Sequence, residues 1–477
     1  MPVDPVSAVR RNLIYAALMG LCFVATAGVA SLSPLLPTIG TIYGLSVVQA
    51  SWIFTTLLIA GGVATAFLPR LADVVGDKWA ATLVPAAITI GCALMRLSHT
   101  YAVVLAGAAL LGVAASASPV AMAAMRRAVG SIGRAVSGAQ AMTFGGSAIG
   151  GVLGAWIVGQ ISLRGYFVII AVITLVVTVL VFVAMPTGTL QERGHLGALS
   201  LLGGTIWLLA ILIGISKGTD WGWTNGRTLG CITGGVVLAF VWYLRERRLP
   251  TPVVDFSLFS EGMFTRTVLA GLALGIPSAA LSILIPYITQ MSPSVAPYGL
   301  GKSALDTAWI LAPFSACGFF GTLVAGRATS RGWSLRIAAC GAVAHCCAAV
   351  WLAFMHDHVW SLIVGVIIYG IGIGLVTGGL YGTIQRTVRP ERAGMASGSL
   401  GLAVCVSGAV GPVIFSTILS HKSVPGAPGV PDGHMFTVSF LVGALCEFIV
   451  LLICLSGIGN EARRGAAPRA EAAVSVG

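Results

Sequence analysis

Charged residues are scarce in this sequence. Only 9% of its 477 residues are Asp, Glu, Lys or Arg, whereas 57% are hydrophobic and the mean hydropathy is +0.96. The surface of a small soluble domain needs about 25–35% charged residues, so this chain cannot cover a water-soluble globule. The excess apolar surface requires a lipid bilayer as its partner, and this excludes the soluble enzymes as a class.

Sequence signatures of other chemistry are also missing. The sequence has no Walker A motif, GxxxxGK[ST], so ATP-driven transport is not indicated. It has ten cysteines but no CxxC pair, and all ten lie in or beside apolar runs. This distribution is typical of small buried hydrophobic residues, and we expect no disulfide, metal site or cofactor.

An enzyme or sensor embedded in the membrane is a possible alternative to a transporter. Such a protein would need a cluster of acids and histidines in its loops, or a sizeable soluble domain. The one candidate cluster is His356-Asp357-His358, in a three-residue loop that we expect to be solvated. We therefore predict no enzymatic activity.

Long apolar runs fill most of the chain. A transmembrane helix needs about 20 mostly apolar residues. Arg10, Arg11 and the later Ala25-Thr26-Ala27 resemble a signal peptide, but the first run continues to Pro37 and is too long for one. We predict fourteen transmembrane spans, at 11–36, 48–69, 79–97, 101–122, 138–160, 166–186, 198–216, 228–244, 267–290, 304–326, 334–354, 359–384, 394–420 and 436–457.

The basic residues alternate in density between successive loops. With the N-terminus inside, 21 of the 27 Lys and Arg residues fall on the inner side and six on the outer side. This asymmetry predicts a multi-pass protein of the cell membrane with both termini in the cytoplasm. It also explains the net charge of +12, so nucleic acid is not needed as a partner.

Short patterns recur in order along the two ends of the chain. Tyr43-Gly44-Leu45 is matched by Tyr298-Gly299-Leu300, and Arg127-Ala128-Val129 by Arg386-Thr387-Val388, at offsets between 249 and 261 residues. The chain is thus predicted to be an all-α polytopic membrane protein, which we expect to be a monomer. It has an N-terminal six-helix bundle (1–190), two linking helices with a cytoplasmic loop (191–262), and a C-terminal six-helix bundle with a short cytoplasmic tail (263–477).

The loop between spans 2 and 3 carries a recognisable motif. Residues 71–78 read LADVVGDK, which resembles the loop motif GxLADxxGxK of the major facilitator superfamily, with Pro69 where that motif begins with glycine. Residues 221–223 and 252–259 resemble segments of its fourteen-span branch of drug:proton antiporters. The resemblance implies the major facilitator fold, whose halves are related by an axis along the membrane normal.

By the same resemblance, the loop motif implies a gate. The carboxylate of Asp73 is expected near the start of span 13 and near the basic end of span 4, where it would latch the two bundles together. The alternative is a solvated loop whose charges only set the topology. The gating residues implied are Asp73, Gly76, Lys78, Arg126 and Arg127.

Small residues form a stripe along span 5 and recur in span 13. Glycines four residues apart allow two helices to approach closely. The antiporter motif GxxxGPxxGG has proline where Gly151 stands here, so ordinary helix packing is an equal alternative to an exporter-specific seal. The residues predicted to pack in this way are Gly146, Gly150, Gly154, Gly408, Gly411 and Pro412.

The predicted cavity is uncharged. Gly28 and Ala108 stand where fourteen-span cation exporters usually carry an aspartate and an arginine, so an organic dication is excluded as the substrate. Aromatic and hydroxyl side chains remain, although an aromatic side chain near a span end is often a lipid-interface anchor. The candidate substrate-binding residues are Trp52, Thr56, Ser116, Tyr287, Gln290, Trp309, Tyr369 and Tyr381.

Two titratable side chains other than thiols and tyrosines are expected deep in the membrane. His345 lies near the middle of span 11 and Glu447 near the middle of span 14. They are candidates for proton coupling. Because the family places both spans at the periphery, a structural pair that ties the two helices together is the alternative, and we favour it from sequence alone.

Together these features predict a secondary active exporter. Its substrate would be a small neutral or weakly anionic organic compound, such as an antibiotic, drug or toxic metabolite, and the family resemblance implies protons as the co-substrate. A facilitator or importer of a small polar metabolite is the alternative, since the sequence does not set the direction of transport.

Overall fold

Apolar helices account for almost all of the molecule. The computed structural model describes residues 8–32, 39, 42–44, 47–98, 100–129, 131–186, 198–249, 256–278, 280–427 and 430–474. Within these residues, 11 helices are long and apolar enough to cross a membrane, and three shorter apolar segments lie at 56–72, 202–215 and 393–408. These fourteen segments match the fourteen predicted spans in order.

The helices are numbered here by span. The first six are α1 Ala8–Ala30, α2 Val47–Val75, α3 Asp77–Leu97, α4 in two segments Tyr101–Gly112 and Ala117–Val129, α5 Ile132–Gln160 and α6 Leu163–Ala184. The next two, at the centre of the chain, are α7 Ala198–Trp221 and α8 Gly226–Glu246. The last six are α9 in two segments Gly262–Ser278 and Ala280–Gln290, α10 Ala304–Ser330, α11 Ser334–Phe354, α12 Val359–Thr387, α13 Ala393–Ser420 and α14 Gly433–Val474.

Helix ends differ from the predicted spans where polar residues continue a helix past its apolar run. The second span was expected to end at residue 69, but α2 continues through Pro69 and Arg70 to Val75. Similarly, α14 runs from Gly433 to Val474, although its apolar part ends at Gly459. Hydropathy detects only the apolar stretch of a helix, so the predicted second and fourteenth spans end before α2 and α14 do.

A 3-10 turn interrupts α4 at Val113–Ser116. Pro119 follows in the next turn, and because it has no N–H it cannot bond the carbonyl four residues earlier. The Ser116 hydroxyl donates to the Val113 carbonyl at 2.7 Å inside this turn. The turn thus follows from the sequence SASP, and it re-aims the second half of α4.

The two halves share the same tight turn between their second and third helices. Gly76 links α2 to α3 with φ +103°, and Gly332 links α10 to α11 with φ +82°. Both angles lie in the left-handed region, which glycine adopts without a steric penalty. The repeat predicted from sequence is therefore present in backbone conformation.

Helix packing repeats as well. A Cβ atom on Gly146, Gly150 or Gly154 would collide with α1, at Phe23, Ala27 and Ser31 in turn. In the second half, a Cβ on Gly275 of α9 would collide with Ser407 and Val404 of α13. Glycine brings α5 onto α1 and α13 onto α9, which are equivalent pairs in the two bundles.

The two bundles meet mainly through two helix pairs, α2 with α13 and α5 with α10, and also through α4 with α13 and α5 with α12. The repeat exchanges these two pairs, as expected for halves related by a pseudo-twofold axis. Helices α7 and α8 pack on the outside of α2, where Phe67 lies among Trp207 and Trp242. Helix α7 contacts both α2 and α13, so it lies beside both bundles.

Candidate functional site

Arg126, at the end of α4, forms a polar link between the bundles. The residue is buried, with 9% exposure. It donates to the Gln385 side-chain oxygen at 3.1 Å and to the Val388 carbonyl at 2.7 Å, both at the end of α12. Gln385 in turn donates to Ser397 of α13. A charge-assisted network of this kind joins the two halves at the end of the molecule that carries most arginines, here called the basic end.

Arg127 forms a second link beside the first. Its Nε atom donates to Asp77 at 2.8 Å, a second nitrogen also contacts the Asp77 carboxylate, and Nη1 donates to the Pro390 carbonyl at 3.1 Å. Asp77 is the first residue of α3, so the carboxylate fixes an arginine of its own bundle. That arginine then reaches the backbone of the other bundle.

The loop motif is only partly described. The side chain of the predicted latch residue Asp73 lies outside the described residues, so its role stays a prediction. The ammonium of Lys78 lies 4.0 Å from the centre of the Phe182 ring on α6, within the N-terminal bundle. Gly76 supplies the left-handed turn. Of the arginines predicted to gate, Arg126 and Arg127 both lie at the seam.

Close contacts continue along α5 and α10 from the basic end toward the middle of the membrane. A Cβ on Gly133 would collide with Ser330, and a Cβ on Gly326 would collide with Ser137. Further along, the Phe144 and Phe314 rings meet edge to face with centroids 6.3 Å apart. The described seam is thus closed from the basic end to about mid-membrane.

Three of the predicted substrate-binding residues are buried. The Tyr369 hydroxyl donates to the Pro277 carbonyl of α9 at 2.7 Å. The Ser116 hydroxyl donates to the Val113 carbonyl within α4. Tyr381 is 9% exposed and backs onto α13, where a Cβ on Gly401 would lie 3.2 Å from its hydroxyl. In this conformation the Tyr369 and Ser116 hydroxyls are taken up by backbone carbonyls.

The remaining candidates lie toward the opposite end. Tyr287 and Trp309 are 47% and 59% exposed, and Gln290 is also exposed. Trp52 of α2 is half-buried, and the ammonium of Lys217 on α7 lies 3.9 Å from its ring centre. Thr56, one turn along α2, is half-buried too. The structure thus spreads the eight candidates over two depths.

Gly28 and Ala108 stand where fourteen-span cation exporters usually carry charged residues, and both lie inside the N-terminal bundle. A Cβ on Gly28 would lie 3.5 Å from Ile170 of α6, and Ala108 is fully buried.

Of the packing residues in α13, Gly408 faces the Gly275 carbonyl, with its Cβ position 3.7 Å away, and Gly411 is buried. The side chain of Pro412 lies outside the described residues.

Two loops of the C-terminal bundle are joined at the end opposite the basic end. The Tyr298 hydroxyl donates to the Pro431 carbonyl at 2.9 Å, and Lys422 lies 3.2 Å from the Asp432 carboxylate. Burial, with the nearby charge of Asp432, raises the pKa of Tyr298 to about 12. The His434 backbone N–H, followed by Lys422, lowers the pKa of Asp432 below its usual value.

Sequence reasoning missed several partners at these sites. Asp77, Gln385 and Lys217 were not predicted, although each faces a residue that was. Asp77 lies within the loop motif LADVVGDK, so it could have been predicted as a gating residue together with Asp73. Gln385, an amide beside Arg386, and Lys217, a lone cation at the end of span 7, gave no pattern that distinguishes them.

His345 and Glu447 lie together, as expected from their depths. The His345 Nδ1 atom is 2.6 Å from a Glu447 carboxylate oxygen, and both side chains are fully buried. This confirms that the two residues pair. Their part in proton coupling stays a prediction.

Comparison with known proteins gives the chain a family. A family model described as the Major Facilitator Superfamily matches residues 18–412. The MFS-type transporter YcnB of Bacillus subtilis is 22% identical over 468 residues, covering 93% of this chain and 94% of that protein. An MFS-type transporter of Mycobacterium tuberculosis is 27% identical over 287 residues, covering 59% of this chain and 41% of the relative. The matched part therefore spans less than half the length of that relative.

A further relative and a solved structure bear on function and on fold. A tetracycline resistance determinant of Streptomyces rimosus is 23% identical over 230 residues, covering 47% of this chain and 63% of that protein. The crystal structure of the human organic anion transporter MFSD10 has a TM-score of 0.68 and 14% identity, covering 92% of this chain and 99% of that one. At this identity the likeness establishes the fold alone.

Proposed function

Because the chain belongs to the major facilitator superfamily, we propose that it is a secondary active exporter of a small neutral or weakly anionic organic compound. It works by alternating access across the cell membrane and is driven by protons. The observation that carries this proposal is the pair of hydrogen bonds from Arg126 to Gln385 and Val388, which join the two bundles at one end.

Alternating access needs two bundles that can separate at either end. The seam at the basic end is held by a few polar contacts and by close glycine packing, beside buried apolar side chains that belong to both bundles. A limited set of contacts can break without unfolding either bundle. This supports a state in which the basic end is closed, in exchange with one in which it opens.

The proposed substrate class follows from the charges of the helices expected around the cavity. In α1, α2, α4, α5, α9, α10, α12 and α13, acids occur only as Asp73 and Asp306, each close to a helix end. A desolvated dication would find no carboxylate at mid-membrane to offset its desolvation cost. Aromatic and hydroxyl groups instead suit stacking and hydrogen bonding to an uncharged organic compound.

One observation supports the orientation and another supports export. In the predicted topology 21 of the 27 Lys and Arg residues fall on the inner side, which favours a cytoplasmic location for the basic end and for both termini. The tetracycline resistance determinant among the relatives favours an antibiotic or a similar toxic compound as cargo.

The test is an accumulation panel in bacterial cells with and without the protein. Neutral, weakly anionic and permanently dicationic compounds are compared, each with and without a protonophore. We expect lower accumulation of at least one neutral or anionic compound, and we expect the protonophore to abolish the difference. Higher accumulation of a compound on expression would indicate an importer, and resistance to a bis-quaternary biocide would overturn the substrate class.

A matched variant separates transport from the effects of overexpression. Arg126→Ala removes the link between the bundles, whereas Arg134→Ala removes an exposed arginine of the same end. At equal membrane levels, Arg126→Ala should no longer lower the accumulation of the compound, whereas Arg134→Ala should still lower it. A fusion at the C-terminus with a reporter that is active only in the cytoplasm checks the orientation.

A further inference from the structure

A buried acid and a buried histidine face each other in the membrane part of the C-terminal bundle. His345 lies near the middle of α11 and Glu447 in the apolar part of α14, with Nδ1 and Oε1 2.6 Å apart. Both side chains have 0% exposure. The distance is short enough for one proton to be shared between them.

The pair is poorly satisfied for a structural link. Among the described residues, none of the four polar atoms of these two side chains has an aligned hydrogen-bond partner, although the side chains touch. Buried polar groups that serve only the fold are nearly always hydrogen-bonded. With no other hydrogen-bond partner among the described residues, the charge of this buried acid and imidazole depends on the proton held between them.

The net charge of this buried site depends on whether the pair holds a proton. The titratable groups that interact with the pair are Tyr369 of α12, Cys346 of α11 and Cys446 of α14, all of them neutral at ordinary pH. With one proton shared, the pair has no net charge. Without it, a carboxylate beside a neutral imidazole carries one negative charge in a low-dielectric environment, which is strongly unfavourable.

Tyr369 connects this pair to the rest of the bundle. Its ring lies edge-on to the His345 ring, with centroids 3.6 Å apart. Its hydroxyl donates to the Pro277 carbonyl, in the last turn of the first α9 segment. On its other side, the Tyr369 ring lies 6.2 Å from Phe314, which in turn contacts Phe144 of the N-terminal bundle. The chain of contacts therefore runs from α14 to the seam.

Close packing fixes the geometry of this chain. A Cβ on Gly372 of α12 would lie 2.8 Å from the His345 backbone nitrogen, so only glycine lets α12 lie this close to α11. One turn earlier on α12 stands Tyr369. The His345 and Tyr369 rings are thus held together by the backbones and not by a flexible contact.

We propose that Glu447 and His345 together bind the proton that drives transport, and that Tyr369 couples this site to α9 through the Pro277 carbonyl. The proposal rests on the proton-driven export proposed above and adds the location of the proton. One proton enters the pair and lies between Oε1 and Nδ1. When Nδ1 keeps this proton, the imidazole releases the proton of Nε2 and becomes its other neutral tautomer, so one proton enters and one leaves. Release requires water to reach the ring, which happens when Tyr369 and Pro277 separate as α9 moves.

The first test measures the proton itself and needs no transported compound. Purified protein in phosphatidylcholine vesicles is followed by infrared spectroscopy from pH 5 to pH 9, observing the carboxylic acid and imidazolium bands. We expect a titrating signal that disappears in both Glu447→Gln and His345→Gln. The matched control is Glu246→Gln, another fully buried glutamate, at the end of α8, which should leave the signal unchanged.

Absence of any titrating signal that depends on Glu447 or His345 over this pH range would overturn the proposal and leave a structural pair. Melting temperature in detergent is measured for each variant, so that unfolding is recognised. If Glu447→Gln unfolds, His345→Gln provides the same comparison. Tyr369→Phe removes only the hydroxyl and should keep the titration while changing its rate of equilibration with bulk pH.

The second test separates this proposal from the proposed function. Vesicles containing pyranine, a trapped pH indicator, are exposed to the neutral or anionic compounds from the accumulation panel. Wild-type protein should couple compound movement to proton movement. In Glu447→Gln, the rate of compound transport driven by a pH gradient should fall at least about 10-fold, whereas exchange of the compound across the membrane at equal pH should be kept. Loss of exchange together with pH-driven transport would overturn the coupling role, and wild-type protein that moves no protons would overturn the proposed drive itself.

Discussion

The Arg126 guanidinium lies between Gln385 Oε1 at 3.1 Å and the Val388 carbonyl at 2.7 Å, so a single side chain of α4 holds the end of α12. Each hydrogen bond to a charged group of this kind contributes about 1.5–3 kcal/mol. The closed state of the basic end is therefore sensitive to this one residue.

Replacing Arg126 by Lys should lower transport by at least about 10-fold, because an ammonium cannot reproduce the planar geometry that reaches two acceptors. Hydrogen exchange in residues 385–393 should increase, since their partner is lost. The control is Arg134→Lys, at an exposed side chain near the same end. Unchanged exchange in this segment would show that Arg126 does not hold the seam.

Asp77 and Arg127 should behave as one unit. Asp77→Asn removes the charge that orients Arg127 toward Pro390, so transport should fall several-fold. In a double-mutant cycle with Arg127→Gln, the two effects should be less than additive by at least about 0.5 kcal/mol. The cycle is measured from initial transport rates at low and high salt. Strict additivity would mean that the carboxylate acts independently of Arg127.

Gly150→Val should destabilise the N-terminal bundle, because its side chain would be forced into the α1 backbone at Ala27. Overpacking of this kind typically costs about 1–3 kcal/mol. A neighbouring substitution, Gly151→Val, provides the control, since a Cβ there would find only the Ala30 carbonyl, at 3.9 Å. Melting temperatures in detergent should differ clearly between the two variants. Equal values would contradict the predicted contact between α5 and α1.

The Lys422–Asp432 contact should make the joined loops sensitive to acid. The pKa of Asp432 is lower in the folded protein than its usual 3.8, so its contribution is present above that pH and is lost as the pH falls through the lower, folded-state pKa. Melting curves of wild-type protein and Asp432→Asn should therefore differ at pH 5 to 7 and converge below about pH 3.8. A difference between the two proteins that does not decrease as the pH falls below 3.8 would assign the effect to something other than ionisation.

Much of the fold could be read directly from the chain. Apolar runs long enough to span a bilayer are unambiguous in length and composition, so all fourteen helices and their order were predicted. The internal repeat was visible in short patterns such as Tyr43-Gly44-Leu45, and the glycine stripe of α5 predicted a close helix contact. The depth of His345 and Glu447 followed from the rise per residue along two antiparallel helices.

The candidate sites were harder to predict, because side-chain partners depend on helix rotation. Nothing in the sequence indicated that the ammonium of Lys217 on α7 would lie 3.9 Å from the ring centre of Trp52. The substrate-binding role of Trp52 stays a prediction. Gln385 has no motif, and its role arises only because the end of α12 comes within reach of Arg126. One residue of shift along a helix turns a side chain by about 100°, which hydropathy does not resolve.

The sequence by itself determined that this is a membrane protein of two repeated six-helix bundles with an added pair, because burial in lipid depends on composition and length. The tertiary structure decided which helices touch, and through which atoms. The Arg126 link, the Asp77–Arg127 pair and the chain from Glu447 through His345 and Tyr369 to Pro277 each join residues far apart in sequence. Such contacts are set by packing between helices, where small residues fix the distance and rotation, and this information is spread over both partners rather than held in either segment.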